Sequence, residues 1–455
     1  MSYFLSAIPF FLFGTGIFYV LRLRGFFLLH PLRCMRLLFT KERPEGISPF
    51  KALTVALAGT LGVGNIVGVA SALYLGGAGA VLWMLVSALV AMVLKYAEIT
   101  LALRHRRTSP DGHPYGGAPY YIRDGLTRAG LPRVGKITAG LFAILCLLNA
   151  ITMGSLLQIN AVAGAMEEGF SVPPLATGIA VALLTLVTVQ GGARRIGALT
   201  EKLVPLMTVG FLVACLAVLF LRRERIPAAL TAIWRDACSP LSAGAGVGGF
   251  LLSKGVRYGV MRGLVSNEAG CGTAPMAHAS AHTDLPARQG LFGLVEVFVD
   301  TVLLCSVTAL CILVSDSGPN AYGADTVRTA SAAFSSVLGK PAGGFFALSI
   351  LFFGVATVLC WAHYGMTCVG YLSTRPAFKW IYLTALTATL LIGAVTAPTL
   401  AWTLADLAIG VMTLFNLAVL LLMNREVVTE TAKLFPTHRF RQTGISCQGK
   451  NFRKE

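Results

Sequence analysis

Apolar residues run along this chain in long blocks, and polar residues are confined to short stretches between them. An α-helix needs roughly 20 apolar residues to cross the hydrocarbon of a bilayer. On that criterion the pattern predicts about eleven spans, near 4–21, 52–75, 78–103, 137–166, 174–190, 200–221, 243–280, 288–315, 342–373, 377–397 and 400–424. The first span has no small-residue cleavage site behind it and reads as a retained helix, not a signal peptide. The longest polar stretches, near 22–51, 104–136, 316–341 and 425–455, leave no soluble domain. The expected class is an all-α integral membrane protein.

Two spans are interrupted. Residues 59–68 read GTLGVGNIVG and residues 262–275 read RGLVSNEAGCGTAP. Small residues do let helices approach closely in a membrane. That does not account for Glu268, since a charged side chain at the bilayer centre costs about 2.5–3.5 kcal/mol even on insertion scales. The interruptions also occupy matching places: one opens a block of five spans (52–221) and the other a second block of five (243–424). Five is odd, so the two blocks cross the membrane in opposite senses. Interrupted spans at corresponding positions of inverted halves point to a transporter's binding site. Unwinding frees backbone groups that a ligand or water must satisfy. Amide groups at half-helix starts suit a carboxylate, and exposed carbonyls suit a hard cation such as sodium.

Composition agrees with the pattern. Hydrophobic residues make up 55% of the 455 and charged residues only 13%, against about a quarter charged in soluble domains. The net charge of +17 invites a nucleic-acid reading, but its distribution argues for a membrane. With the start outside, the predicted cytoplasmic segments hold Arg22, Arg24, Arg33, Arg36, Arg104, Arg106, Arg107, Arg123, Arg128, Arg375, Lys379 and the basic tail. That is the positive-inside asymmetry, with the outer RRER at 222–225 as a local exception. The expected location is the plasma (inner) membrane, with the carboxyl terminus cytoplasmic. The ten cysteines are scattered without a C-x-x-C pair, so neither a disulfide framework nor a metal site is expected.

Both interrupted stretches resemble the alanine or glycine:cation symporter family. The resemblance is carried by GTLGVGNIVGVASAL, LKYAEITLALRHR, YGGAPYYIRDGL, GVMRGLVSNEAGCGTAPMAHASA, VFVDTVLLC and LADLAIGVMTLFNLAVLL. It implies a LeuT-type fold: a five-plus-five inverted repeat with two discontinuous helices, plus one extra amino-terminal helix. It also implies symport of a small neutral amino acid with sodium, with no cofactor beyond the co-transported ion. The extra helix and its basic loop occupy 1–51, the two repeats 52–221 and 243–424, and a basic tail 425–455.

On that resemblance, Thr60, Gly62, Gly64 and Asn65 would cradle the substrate carboxylate. Free carbonyls of Gly263, Leu264, Val265, Ser266 and Asn267 would accept its ammonium. Gln158 resembles a substrate contact, and Trp361 an aromatic wall of the site. Thr357 would join first-break carbonyls, at Gly59 and Gly62, around sodium. Glu268 reads as architecture or gating, paired with backbone amides or with Arg262. Two departures bear on substrate and coupling: Val265 stands where relatives usually carry phenylalanine, which predicts acceptance of amino acids larger than alanine, and Met366 where a glutamate usually follows the W-x-x-Y-G pattern.

Other polar residues admit simpler roles. Lys95 and Glu98 are spaced to pair on one helix face, Glu296 and Asp300 share a side of their span, and Asn160 suits a bridge between helices. His278 and His282 have a zinc-like spacing but lack the glutamate of an H-E-x-x-H site. GVGNIVG is spaced G-x-G-x-x-x-G and has no βαβ unit around it, which excludes a dinucleotide site. No nucleophile–base set for an enzyme stands out. The alternatives are a proton-coupled transporter, in which Glu268, Glu296 or Asp300 titrates, and an ion channel, which favours filter loops from several subunits.

Overall fold

The computed structural model describes residues 2–39, 48–109, 114–238 and 253–435. Their architecture is helical, with one two-residue hairpin pairing Arg107–Thr108 to Pro114–Tyr115. Among the described residues, seven helices are long and apolar enough to cross a membrane: Gly79–Arg104, Pro132–Phe170, Arg195–Leu221, Pro286–Val314, Pro341–Leu372, Pro376–Val395 and Pro398–Leu422. Shorter apolar helices include Ala7–Arg22, Val67–Gly76 and Pro174–Gln190. The predicted span 52–75 divides into two helices, Pro49–Thr60 and Val67–Gly76, joined by a 3₁₀ turn at Val63–Asn65. The amino-terminal part of the predicted span 243–280 lies outside the described residues. Its described part is a helix, Lys254–Asn267, and a short one, Ala274–His278.

Polar stretches that carry no spanning signal also form helices: Ala118–Arg128, Ile226–Ala237, Thr326–Leu338 and Asn424–Leu434. The first, second and fourth open within a turn of a proline or an asparagine, and the third opens on Asp325, whose carboxylate accepts the Arg328 amide at 3.1 Å. Each is 11–13 residues long, too short to span a bilayer, so a search for long apolar runs does not reveal them.

The buried centre is formed where Gly79–Arg104 meets Pro286–Val297 and Lys254–Asn267. Glycines set these distances. A Cβ on Gly290 would lie 2.9 Å from the Tyr96 carbonyl, one on Gly293 2.6 Å from Ile99, and one on Gly259 2.4 Å from the Ala80 carbonyl. Small residues at such crossings let backbones touch where no hydrophobic effect drives helices together. The outer faces are apolar and exposed. Leu206, Val209, Val213, Leu216 and Phe220 line one side of Gly192–Leu221, a surface suited to lipid and costly in water.

Candidate substrate and cation site

The first break begins where Thr60 ends its helix and Gly62 turns the chain away. Every residue from Ala56 to Leu73 is buried, so the freed backbone must find partners in the protein interior. Gln158 supplies one: its Oε1 accepts the Val63 amide at 3.0 Å, and its Nε2 donates to the Met153 carbonyl at 3.1 Å. Thr357 supplies another, donating to the Ala58 carbonyl at 3.1 Å. A Cβ on Gly62 would lie 2.7 Å from Thr357 Oγ1 and 2.8 Å from Gln158 Oε1, so only glycine fits between these two oxygens. Gly59 packs against Cys360 and Tyr364 of the same helix as Thr357.

The second break lies later than the sequence suggests. Gly263, Leu264, Val265, Ser266 and Asn267 are helical, and the Leu264 carbonyl accepts the Glu268 amide at 2.9 Å. Helix bonds therefore take the Gly263 and Leu264 carbonyls, whereas those of Val265, Ser266 and Asn267 lie past the last bond of the helix. The chain turns at Glu268 (φ 52), Gly270 (φ 89) and Gly272 (φ 80), a left-handed path that glycine adopts readily. Gly263 instead serves packing, since a Cβ there would sit 2.9 Å from Ser87 Oγ.

The two breaks meet on Asp300. Asn65 of the first break donates through Nδ2 to the Asp300 carbonyl at 3.2 Å and to Oδ1 of its carboxylate. Ser266, one turn before the second break, donates to Oδ2 at 2.6 Å, as does Thr301 at 2.7 Å. No basic side chain ion-pairs with Asp300 among the described residues. Asn65 Oδ1 is buried without a partner. Val265 adjoins this contact, its Cγ1 standing 3.6 Å from where a Gly64 Cβ would be.

Glu268 is not paired with Arg262. Its Oε1 accepts the Trp361 indole N–H at 2.9 Å and its Oε2 the Thr273 hydroxyl at 2.7 Å. Trp361 is thus anchored by a polar bond, with its ring pressed on Gly154, where a Cβ would lie 2.3 Å away. Arg262 instead forms a two-pronged pair with Asp406, at 2.6 and 2.9 Å, and its guanidinium stacks 4.1 Å from the Trp402 ring. These three residues line a cavity of about 310 Å³ with Ser71, Tyr74 and Tyr258. Met366 stands away from the breaks, lining a second cavity of about 580 Å³ with Arg375, Lys379 and Trp380.

The remaining acids also separate. Lys95 pairs with Glu296 at 3.0 Å and not with Glu98. Glu98 accepts the Gly272 amide at 2.8 Å and the Asn416 side-chain amide at 2.5 Å, while its Oε2 has no partner. Asn160 bridges to the Gly393 and Thr396 carbonyls at 3.1 and 2.6 Å. His278 bonds to Glu296 at 3.1 Å, and no metal-binding group of three or more His, Cys, Asp or Glu occurs among the described residues. The nine described cysteines are free.

Two π-helical segments, Thr152–Leu156 and Phe298–Cys305, present Gly154 and Asp300. Such widened turns often mark functional positions, and apolar periodicity does not foretell them. Asn416, deep in the last long helix, was likewise without a signal in the pattern.

The family profile of sodium:alanine symporters matches residues 2–444. The chain belongs to the sodium:alanine symporter family. The sodium/alanine symporter AgcS of Methanococcus maripaludis is 39% identical over 92% of this chain and 92% of its own length. A probable sodium/glutamine symporter, GlnT of Bacillus subtilis, is 32% identical over 92% of this chain and 85% of its own. Among solved structures, MhsT in complex with L-phenylalanine superposes with a TM-score of 0.58 at 14% identity, covering 88% of this chain and 95% of that one. That likeness places the symporter in the same fold. Membership makes the chain a multi-pass, cation-coupled amino-acid symporter and not an enzyme.

Proposed function

We propose that this symporter couples inward sodium movement to uptake of a small neutral amino acid, by alternating access around the two breaks. The observation that carries the reading is the convergence of Asn65 and Ser266, one from each broken stretch, on the single carboxylate of Asp300. A carboxylate surrounded by neutral oxygen and amide groups suits a hard cation, which prefers carboxylate and carbonyl ligands. A second oxygen cluster lies at Gly62, Thr357 and Gln158, beside the Ala58 carbonyl. The substrate sits between them, its carboxylate toward the first break at Gly64, since the Gly62 and Asn65 amides donate to the Thr60 and Gly62 carbonyls. In this reading the seven long helices, the two shorter ones Ala7–Arg22 and Pro174–Gln190, and the two broken stretches make eleven spans. Ten of these form inverted halves in the inner membrane, the amino terminus outside.

Electrostatics supports the direction. Glu98, Glu268, Glu296 and Asp300 are fully buried, with the Lys95 ammonium buried among them. Carboxyl groups outnumber ammonium groups at the breaks, and an entering cation lowers the cost of burying a carboxylate there. A zwitterion carries no net charge, so each sodium ion gains about 2.3 kcal/mol per 100 mV, inside negative.

Proteoliposomes loaded with potassium and given a labelled amino-acid panel test the proposal. Saturable uptake that needs an inward sodium gradient and falls when choline replaces sodium is the expected result. Uptake unaffected by that replacement at fixed pH overturns sodium coupling. It favours the second reading, proton coupling, for which the unpartnered Oε2 of buried Glu98 is the specific support.

A further inference from the structure

Lys95 and Glu296 lie outside both breaks, yet each holds the end of one. Lys95 Nζ donates to the Asn267 carbonyl at 2.6 Å, at the last helical residue before the second break. Glu296 Oε1 accepts the Thr60 hydroxyl at 3.3 Å, at the last helical residue before the first break. The two side chains are joined to each other at 3.0 Å and both are fully buried. Behind them, Gln289 Nε2 donates to His278 Nδ1 at 2.8 Å, which leaves His278 Nε2 to donate to Glu296 Oε2 at 3.1 Å. The same Gln289 amide reaches the Pro49 carbonyl at 3.3 Å, at the start of the first broken helix.

A lone buried ion pair is poor value as a stabiliser, because desolvation offsets the attraction. An ion pair whose other bonds reach the ends of two broken helices has a different use. Besides the contact through Asp300, a second polar route joins the two broken helices, running from Thr60 through Glu296 and Lys95 to Asn267. Thr60 follows Gly59, on the proposed sodium side, and Asn267 follows Ser266, on the side where both breaks meet.

We propose that the Lys95–Glu296 pair is the positioning element that couples cation binding to substrate binding, by holding the two half-helix ends in one register. The proposal rests on the symport reading above. A sodium ion that settles the first break moves Thr60. Glu296 follows, Lys95 follows Glu296, and the Asn267 carbonyl is carried into the arrangement that binds substrate. Coupling of this kind is a ratio of affinities and is reciprocal.

The test measures substrate affinity of the purified full-length protein with sodium and with choline. The wild type is expected to bind its amino acid more tightly in sodium. The neutral pair Lys95→Met with Glu296→Gln removes both charges together, so no lone charge stays buried. It is expected to keep the affinity seen in choline and to lose at least tenfold of the sodium-dependent gain. Thr60→Val removes one hydroxyl and no charge, and is expected to lower the gain two- to fivefold. A pair that merely stabilises the fold would lower the melting temperature and leave the ratio at its wild-type value, and that result overturns the proposal. If the neutral pair does not fold, Thr60→Val decides alone: an unchanged ratio overturns the coupling role. A wild type with no sodium-dependent gain refutes the symport reading instead, and is told apart because it needs no variant.

Discussion

At the scale of single residues, the structure distinguishes side chains that hold backbone from those that wait for a ligand. Thr357 and Gln158 meet at Gly62, and Thr357 offers its oxygen to the first break. Thr357→Val is therefore expected to raise the sodium concentration for half-maximal uptake at least tenfold, a loss of about 1.4 kcal/mol, with Thr357→Ser near wild type. Sodium titration of uptake checks it. Val265 touches the contact between the breaks, where a phenylalanine would add a ring. Val265→Phe is expected to abolish uptake of the larger amino acids while sparing alanine and glycine, and equal loss across a substrate panel would refute a size filter here. Thr60, Asn65, Gln158, Trp361 and Thr357 were legible from the chain as candidates, and the structure gathers their side chains at the breaks. Their partners were not. Asp406 instead of Glu268 for Arg262, and Glu296 instead of Glu98 for Lys95, are choices between groups hundreds of residues apart or one turn apart, and spacing does not rank them.

At the scale of elements, the two breaks differ in construction although they look alike as sequence. The first is a 3₁₀ turn whose glycines mainly give room. The second is a left-handed turn in which Gly270 and Gly272 are needed for their backbone angles. Gly272→Ala meets both penalties, with φ at 80° and Phe142 2.8 Å from the new methyl group. Left-handed backbone at a non-glycine residue costs about 1–3 kcal/mol, so a clear fall in melting temperature in detergent is expected. Gly14, mid-helix with nothing within 4 Å of an added Cβ, is the comparison: Gly14→Ala should not destabilise, and gains up to about 1 kcal/mol from helix propensity. The displaced second break shows why a glycine-rich string does not locate its own hinge. Gly263 and Gly270 read the same in the pattern, and only the neighbouring helix through Ser87 makes one of them a packing contact.

At the scale of the whole molecule, charge beyond the long helices ties the segment from Arg104 to Arg128 to the helix Asn424–Leu434. Arg104, His105 and Arg128 converge on Glu426 of the helix that follows the last long span, at 2.6, 2.9 and 2.9 Å. Arg104 also bonds to Glu430, and Arg107 grips Asp124 at 2.7 Å. Although partial burial raises the Glu426 carboxyl, hydrogen bonds and charge from His105 and Arg104 outweigh it and bring its pKa down to about 2. A lowered acid stabilises the fold only above its ordinary value of 4.5, and the gain disappears as pH falls toward 2. Glu426→Gln is expected to lower the melting temperature at pH 7, with the difference from wild type shrinking below pH 4. A difference that stays constant across that range would refute the ion-pair account. The basic RRER at 222–225 finds its explanation at this scale too, because Arg222 and Arg225 bond Asp316 at 2.5 and 2.8 Å. Asp316, just past the end of Pro286–Val314, meets those arginines, and a count of arginines and lysines along the chain leaves it out.

The one-dimensional pattern determined the class of the protein, the places of its long helices and the two stretches that interrupt them. Those follow from the length of an apolar run and from residues that cannot sit comfortably in one, properties each segment carries by itself. Only the tertiary structure decided which carboxylate faces which cation, where the second helix stops, and that Asn65 and Ser266 share Asp300. A buried polar group is worth keeping only with its partner in place, and partners are set by how distant helices cross, not by order along the chain.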